Sequence, residues 1–298
     1  AENYVRLLLK ISLQEQAEPT IHQASWQPDT LPASPKSLTS GFPAMPFDDE
    51  VYTLAYEVFV SNQKLDDAMA VATAALRQVP NQPDWLRRLA QAAEWSRHPE
   101  EALAAWRLLA TKFNDAKGWE GMARLAPGLL SDEDMLLVWQ RQVGQRTLDA
   151  RELREIQSIY ERLARPLEGA AFFEKTFIRH PSPQLLEQAA YLRHSIGDVD
   201  GALANYQRLA RTYGPHPRWA TTEASLLYGK NEQSKALEAL KAAESSATEQ
   251  DKDFWRLLGD LAWNLDQGDT ARHAYFKRQR ADDWQRTDMD RLLSLLDP

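Results

Sequence analysis

The sequence predicts an all-α fold in which consecutive helical hairpins stack into a solenoid. Three observations lead to this prediction. A small residue returns every 33 to 35 positions, the residues before each return follow helical spacing, and turn-forming residues mark the expected breaks. A fixed step of this size is typical of repeat proteins, whose units bury their apolar faces against their neighbours.

The repeat is defined by an anchor position that is usually alanine or glycine. A residue able to fill a gap, usually an aromatic one, follows four positions later, as Trp106 follows Ala102. The anchors are Ala68, Ala102, Met135, Gly169, Ala202, Ala236 and Ala271. Because five of these seven residues are alanine and one is glycine at a nearly constant step, we take the period as genuine.

Each anchor is preceded by residues at helical spacing. The residues sixteen, twelve and nine positions before it share one helical face, because these offsets differ by three or four. In the last complete unit they are Trp255, Gly259 and Ala262. A break such as residues 61–63 then precedes the anchor segment, and Asp84 is placed to cap a helix. Each unit is therefore predicted to be a hairpin of helix A followed by helix B.

This pattern resembles the tetratricopeptide repeat (TPR), a 34-residue helix–turn–helix unit, on the spacing of Trp255, Leu258, Gly259, Ala262, Ala271 and Tyr275. The resemblance implies a right-handed superhelical solenoid of about seven TPR hairpins over residues 48–281. Two repeats depart from the pattern. Met135 replaces the small anchor of repeat 3, where residues 127–128 shorten helix A, and Glu223 takes an apolar position in repeat 6.

Residues 1–47 and 282–298 lie outside the seven repeats. Residues 3–14 are predicted to form an amphipathic helix, followed by a proline-rich loop segment up to residue 47. Residues 282–298 are interpreted as the start of a further, truncated helical repeat. The chain begins at Ala1 and stops soon after a helical run, so both ends are interpreted as cuts in a longer protein. No run of 18 apolar residues occurs, and any membrane anchor is expected outside this chain.

Composition excludes several classes of protein. The formal net charge is -8 over 298 residues, which disfavours nucleic acid as a partner, including RNA bound by a helical repeat. The absence of cysteine excludes a disulfide framework, a cysteine-ligated metal site and a thiol nucleophile. A cysteine-free chain is compatible with both the cytosol and the periplasm.

The sequence predicts no catalytic residue, no cofactor site and no metal site. Serine-hydrolase, zinc-protease and nucleotide-loop motifs are absent, and the six histidines are scattered without metal-ligand spacing. An α/α-toroid glycosidase or lyase is the remaining enzymatic alternative, since such enzymes are also helical, acidic and rich in tryptophan. The regular step of 33 to 35 residues favours the non-enzymatic repeat protein.

A partner-binding groove is predicted on the side of the A helices turned away from the B helices. Aromatic rings offer a large contact area at small entropic cost, and mixed charges beside them would set the register of a bound segment. The predicted groove residues are Trp95, Tyr191, His194, Tyr228, Arg256, Asp260, Trp263 and Asn264. The alternative is that the rings only fill space between neighbouring A helices.

The predicted function is that of a non-enzymatic scaffold for protein–protein interaction. The chain also resembles the periplasmic TPR regions of bacterial exopolysaccharide export proteins of the Pel type. That resemblance implies a periplasmic region that assembles a biofilm-polysaccharide secretion complex, recruits a polysaccharide-modifying enzyme and guides the polysaccharide itself. The alternative is a cytosolic TPR adaptor that binds peptide segments.

Overall fold

The computed structural model describes residues 46–143, 145–280 and 285–296. Within these ranges the chain forms α-helices joined by short turns, one 3-10 helix at Glu244–Ser246 and no strand. The predicted all-α solenoid of helical hairpins is therefore confirmed. The predicted helix over residues 3–14 and the proline-rich segment before residue 46 lie outside the described residues.

The chain divides into two compact units, Ala1–Gln142 and Val143–Pro298. Each unit has a hydrophobic core of its own, made of the apolar faces of its helices. The predicted bounds of the array at residues 48 and 281 remain predictions.

The described part of the first unit contains three hairpins. Its helices are α1 (Asp49–Ser61), α2 (Leu65–Gln78), α3 (Pro83–Trp95), α4 (Pro99–Phe113), α5 (Ala116–Leu125) and α6 (Asp132–Val143, whose last residue belongs to the second unit). The odd-numbered helices are A helices and the even-numbered ones are B helices, as the period predicts.

Helix starts in the first unit follow from local chemistry. The Asp48 carboxylate accepts hydrogen bonds from the amides of residues 50 and 51 and so caps α1. Helix α3 instead begins at Pro83, with Gln82 as the cap residue and no side-chain capping bond. The prediction that Asp84 caps this helix is wrong, because proline fixes the first helical position and leaves Asp84 within the first turn. There its carboxylate accepts a hydrogen bond from Arg87 at 2.7 Å.

The anchors pack as the period predicts. Ala68 and Ala102 are fully buried, and Trp106 beside Ala102 is 3% exposed. Helix α5 crosses α4 so closely that a Cβ on Gly121 would lie 2.4 Å from Cγ of Trp106. Repeat 3 departs as expected, since α5 has only ten residues and Met135 is only partly buried.

The described part of the second unit contains four hairpins and one further helix. Its helices are α7 (Ala150–Arg162), α8 (Pro166–Arg179), α9 (Pro183–Ser195), α10 (Val199–Tyr213), α11 (Pro217–Gly229), α12 (Gln233–Ala243), α13 (Lys252–Asn264), α14 (Gly268–Arg280) and α15 (Arg286–Leu296). Helices α7, α9, α11 and α13 are A helices, and each pairs with the B helix that follows it.

The hairpins of this unit form two layers. Between neighbouring B helices, Glu174 of α8 accepts a hydrogen bond from Asn205 of α10 at 2.8 Å, and the rings of Phe177 and Tyr213 meet edge to face at 6.4 Å. Between neighbouring A helices, the indole of Trp219 in α11 donates to Glu187 in α9 at 2.6 Å. A helices therefore lie beside A helices and B helices beside B helices.

Glu223 is the polar exception that the sequence indicates in repeat 6. It is partly buried on α11, and this burial raises the pKa of its carboxyl group, while a hydrogen bond with Gln207 partly opposes the shift. A carboxyl whose pKa is raised on folding stabilises the fold below its unfolded-state pKa. That contribution is lost as the pH rises through the folded-state pKa.

We therefore expect Glu223→Gln to raise the melting temperature at pH 7, with the gain disappearing near pH 4. The amide keeps the hydrogen bonding to Gln207 but carries no charge to desolvate. Thermal unfolding at both pH values measures the difference. Glu238→Gln on α12 is the matched control, because that side chain is exposed and should give the same change in melting temperature at both pH values. An equal response of the two variants would contradict the prediction.

Candidate functional site: the A face of the second unit

The A helices of the second unit turn one side away from their B helices, and this surface is called here the A face. Its side chains come from three register positions, fifteen, eleven and eight residues before each anchor. On α9, α11 and α13 these positions hold Glu187, Tyr191 and His194, then Thr221, Ser225 and Tyr228, then Arg256, Asp260 and Trp263. The A face is therefore a grid of three helices by three rows.

The last row of the grid is aromatic throughout. His194, Tyr228 and Trp263 occupy the same register position on three consecutive A helices. Tyr228 is 49% exposed and His194 is also exposed, whereas Trp263 is partly buried. In the middle row Tyr191 is 49% exposed. Exposed rings at fixed register on a rigid scaffold are suited to anchor a partner.

A cleft of about 390 Å³ opens between α11 and α13. Its lining is polar except for Leu257, and the other residues are Thr221, Ser225, Asp253, Arg256 and Asp260. Both lining hydroxyls donate to carbonyl oxygens one turn back on their own helix, at 2.8 Å, which leaves their lone pairs as acceptors. The cleft can thus exchange hydrogen bonds in both directions with a bound segment.

The charges around the cleft are paired. Arg256 forms an ion pair with Asp253 one turn earlier on α13. Asp260 accepts a hydrogen bond from Arg291 of α15 at 2.7 Å. With two carboxylates and two guanidinium groups, the lining and the neighbouring Arg291 add no net charge to the cleft.

Arg291 also contacts Trp263, the last ring of the aromatic row. Its guanidinium carbon lies 5.5 Å from the centre of the Trp263 ring, and its Nη1 donates to the Tyr275 hydroxyl at 3.3 Å. Burial opposes the charge on Arg291. The contacts with Tyr275 and Asp260 outweigh this effect, so that the pKa of Arg291 lies above its ordinary value. Trp263 is therefore held in place by α15 as well as by its own helix.

The structure brings Arg256 and Asp260 together at the cleft, with Tyr228 and Trp263 in the row beyond it on the same two helices. Tyr191 and His194 lie on α9, and Asn264 ends α13 with its side chain exposed. Trp95 belongs to the first unit, where it ends α3 and is 51% exposed. That these residues bind a partner remains a prediction.

Sequence reasoning missed five contributors to the cleft and its rim: Thr221, Ser225, Asp253, Leu257 and Arg291. The register of the first two could have identified them, since they share positions with predicted residues. Arg291 lies in the incomplete unit after the seventh repeat, where the period gives no anchor to count from.

Among the described residues, no helix is long and apolar enough to cross a membrane, and no group of His, Asp or Glu side chains could hold a metal ion.

These features define a helical-repeat protein with exposed rings and a polar cleft on the A helices of its second unit. Residues 207–298 match the family model described as "Tetratricopeptide repeat". This part of the chain carries tetratricopeptide repeats, and the resemblance found in the sequence is confirmed. Residues 207–298 are accordingly a scaffold segment of the TPR type, a class of repeat that binds other proteins.

The solved structures to which this chain is similar have low sequence identity. A tetratricopeptide repeat protein from Parabacteroides merdae is 16% identical, with 83% of this chain and 98% of that chain covered and a TM-score of 0.33. PilF from Pseudomonas aeruginosa is 15% identical, with 83% and 96% covered and a TM-score of 0.36. A chain in the structure of Naa15/Naa10 bound to HypK-THB is 13% identical, with 83% and 38% covered and a TM-score of 0.49. No curated protein matches this chain significantly.

Proposed function

We propose that the A face of the second unit holds an extended segment of a partner protein, and that the chain acts by recruiting this partner into a complex. The observation that carries the proposal is the grid of side chains on α9, α11 and α13, with exposed rings in two rows beside a polar cleft. Neighbouring packed helices lie roughly 8–10 Å apart. An extended segment rises about 3.3 Å per residue, so about every third side chain of the partner would meet the next A helix.

We further propose that the complex is a periplasmic assembly for exopolysaccharide secretion and that the partner is a polysaccharide-modifying enzyme. Support for this finer role comes from the resemblance of the sequence to the TPR regions of exopolysaccharide export proteins. The balanced charges of the cleft favour a segment of low net charge over a strongly acidic or basic one.

The recruitment proposal is tested with Tyr228→Ala. The ring is half exposed, so its removal should weaken partner binding by about tenfold or more with little change in the melting temperature. The partner is captured from the native source with the immobilised chain and identified by mass spectrometry. Its affinity for the wild-type chain and the variant is then measured by calorimetry with purified proteins.

Phe276→Ala is the matched control. Phe276 is an aromatic residue of similar exposure, 40%, but lies on α14 in the B layer. Loss of affinity in Phe276→Ala and not in Tyr228→Ala would move the binding surface to the other side of the unit. An identified partner that is unrelated to polysaccharide chemistry would refute the finer role and leave the A face as a binding surface.

The compartment has a separate test. Fractionation of cells of the native source is expected to recover the full-length protein with periplasmic markers or with the membrane. The region described here is expected to be cut by protease added after the outer membrane is opened. Complete protection under those conditions would refute the periplasmic proposal.

A further inference from the structure

The aromatic row of the A face, formed by His194, Tyr228 and Trp263, repeats at the spacing of the helices that carry it. The three residues hold the same register position on α9, α11 and α13, so the line that joins them crosses these helices. The helices are packed neighbours, because Trp219 of α11 donates to Glu187 of α9, and α11 and α13 line one cleft. Packed helices lie about 8–10 Å apart, and successive rings of the row recur at this interval.

A partner segment that uses this row must present side chains to one side at the same interval. A β-strand rises about 3.3 Å per residue and alternates its side chains, so those on one side recur at about 6.6 or 13 Å and miss the interval. A polyproline II helix has about three residues per turn and rises about 3.1 Å per residue, so every third side chain returns to one side after about 9.3 Å. The spacing of the A helices therefore selects the polyproline II conformation over a β-strand.

The polarity of the same surface disfavours an amphipathic α-helix as the bound segment. Such a helix buries a continuous apolar stripe in an apolar groove. The lining of the cleft between α11 and α13 is polar except for Leu257, with Thr221, Ser225 and Asp260 among the polar members. Between its rings the A face therefore offers hydrogen-bonding groups and not the apolar surface that a helix needs.

The rings of the aromatic row match the chemistry of proline-rich segments. Imidazole, phenol and indole each combine an apolar ring face with an N–H or O–H donor. A polyproline II segment has no internal hydrogen bonds, so its carbonyl oxygens are available to such donors, and its proline rings pack on the aromatic faces. Proline also fixes its own backbone angle before binding, which lowers the entropic cost of ordering the segment.

We propose that the segment bound by the A face is proline-rich and adopts the polyproline II conformation, with prolines three residues apart on His194, Tyr228 and Trp263. This inference rests on the proposed recruitment function and names the class of segment that the site takes. Residues between the prolines keep their backbone N–H groups. The hydroxyl oxygens of Thr221 and Ser225 are suited to accept from them, because both hydroxyls donate to carbonyls of their own helix.

The test uses a fluorescein-labelled peptide, Pro-Ala-Ser-Pro-Ala-Ser-Pro-Ala-Ser, capped at both ends. Fluorescence anisotropy with the whole chain is expected to give saturable binding. Tyr228→Ala should weaken it by about tenfold or more, and Tyr228→Phe, which loses only the hydroxyl, by about threefold. Phe276→Ala in the B layer is the matched control and should leave binding unchanged.

Two further peptides test the spacing and the conformation. Pro-Ala-Pro-Ala-Ser-Ser-Pro-Ala-Ser has the same composition but moves the middle proline by one position, and it should bind about fivefold more weakly or worse because one ring loses its proline. Valine in place of all three prolines favours a β-strand and should weaken binding by about tenfold or more.

The chain itself contains the motif of the first peptide, since residues 32–35 read Pro-Ala-Ser-Pro. Pro32→Ala combined with Pro35→Ala in the whole chain should leave the affinity for the peptide unchanged. A gain in affinity would mean that this segment of the chain occupies the row, and it would overturn the proposal of a partner segment.

The proposal would also be overturned by the absence of saturable binding up to about 1 mM peptide, or by equal binding of the peptide with the displaced proline, of the valine peptide or by Tyr228→Ala. A captured partner whose bound segment lacks prolines three residues apart would contradict it as well. The recruitment function fails separately, since it requires only that Tyr228→Ala weakens binding of the captured partner.

Discussion

Replacing Trp85 by alanine is expected to lower the free energy of unfolding of the first unit by about 3–5 kcal/mol. Trp85 is the largest fully buried side chain between α1 and α3. Its ring meets Tyr52 and Tyr56 of α1 edge to face, with centroids 6.1 and 6.4 Å apart. The truncation leaves a cavity among these rings that rigid neighbouring helices cannot close.

Polar contacts of the same indole add to the expected loss. Its Nε1 donates a hydrogen bond to Asp49 at 2.8 Å, and the Arg88 guanidinium lies 4.4 Å above the ring. Trp85→Phe keeps most of the ring and removes the donor, so an intermediate loss is expected. Urea unfolding followed by circular dichroism measures the free energy, and hydrogen exchange of α1 to α4 locates the change.

Trp95→Ala is the matched control, because Trp95 lies on the same helix but is half exposed. Surface substitutions usually change stability by no more than about 0.5 kcal/mol. If the two alanine variants lost the same amount, the ring cluster would not be what joins α1 to α3.

The repeat architecture could be predicted because helix packing fixes the size of the residues at the crossing points. Ala236 and Ala271, found in the sequence as anchors, are fully buried where A and B helices meet. The candidate groove residues were also found by register, since the same period that places the anchors inside places Tyr191 and Tyr228 outside. Both are half exposed, as that argument requires.

Pairings between side chains could not be predicted from the sequence. The indole of Trp219 donates to Glu187 from the next A helix, 32 residues away. Asp260, predicted as a groove residue, accepts a hydrogen bond from Arg291, 31 residues along. A period tells which residues share a face, but the partner of a charge depends on rotamers and on the angle between neighbouring helices. Arg291 therefore enters the site only through the structure.

A second large effect is expected at the end of the second unit, where Asp288→Ala should release α15. Asp288 and Arg278 are 3% and 2% exposed, and Nη1 of Arg278 donates to the carboxylate at 2.7 Å. The same carboxylate accepts a hydrogen bond from the amide of Gln285 just before α15. Removing one partner of a buried ion pair costs about 3–5 kcal/mol, because the remaining buried charge loses a group of opposite charge that offsets its desolvation.

The free-energy cost of Asp288→Ala cannot exceed the free energy with which α15 is docked, because undocking of α15 returns Arg278 to water. We therefore expect the loss as local unfolding. Amide exchange over residues 286–296 should approach that of an unfolded segment, while α9 to α12 keep their protection. Exchange measured by mass spectrometry on wild-type and variant chains gives both quantities in one experiment.

Replacing both partners by apolar residues tests whether α15 is docked by the charges of the ion pair or by the packing of the two side chains. Arg278→Met combined with Asp288→Leu leaves no buried charge and fills a similar volume, so it should restore most of the protection that Asp288→Ala loses. Asp290→Ala is the control for the loss of a carboxylate near the start of α15, because Asp290 is exposed, and it should leave exchange unchanged. Protection of α15 that survives Asp288→Ala would mean that Leu292 and Leu295 dock the helix without help from the ion pair. In that case the Arg278–Asp288 contact would set the position of α15 without contributing to the stability of its docking.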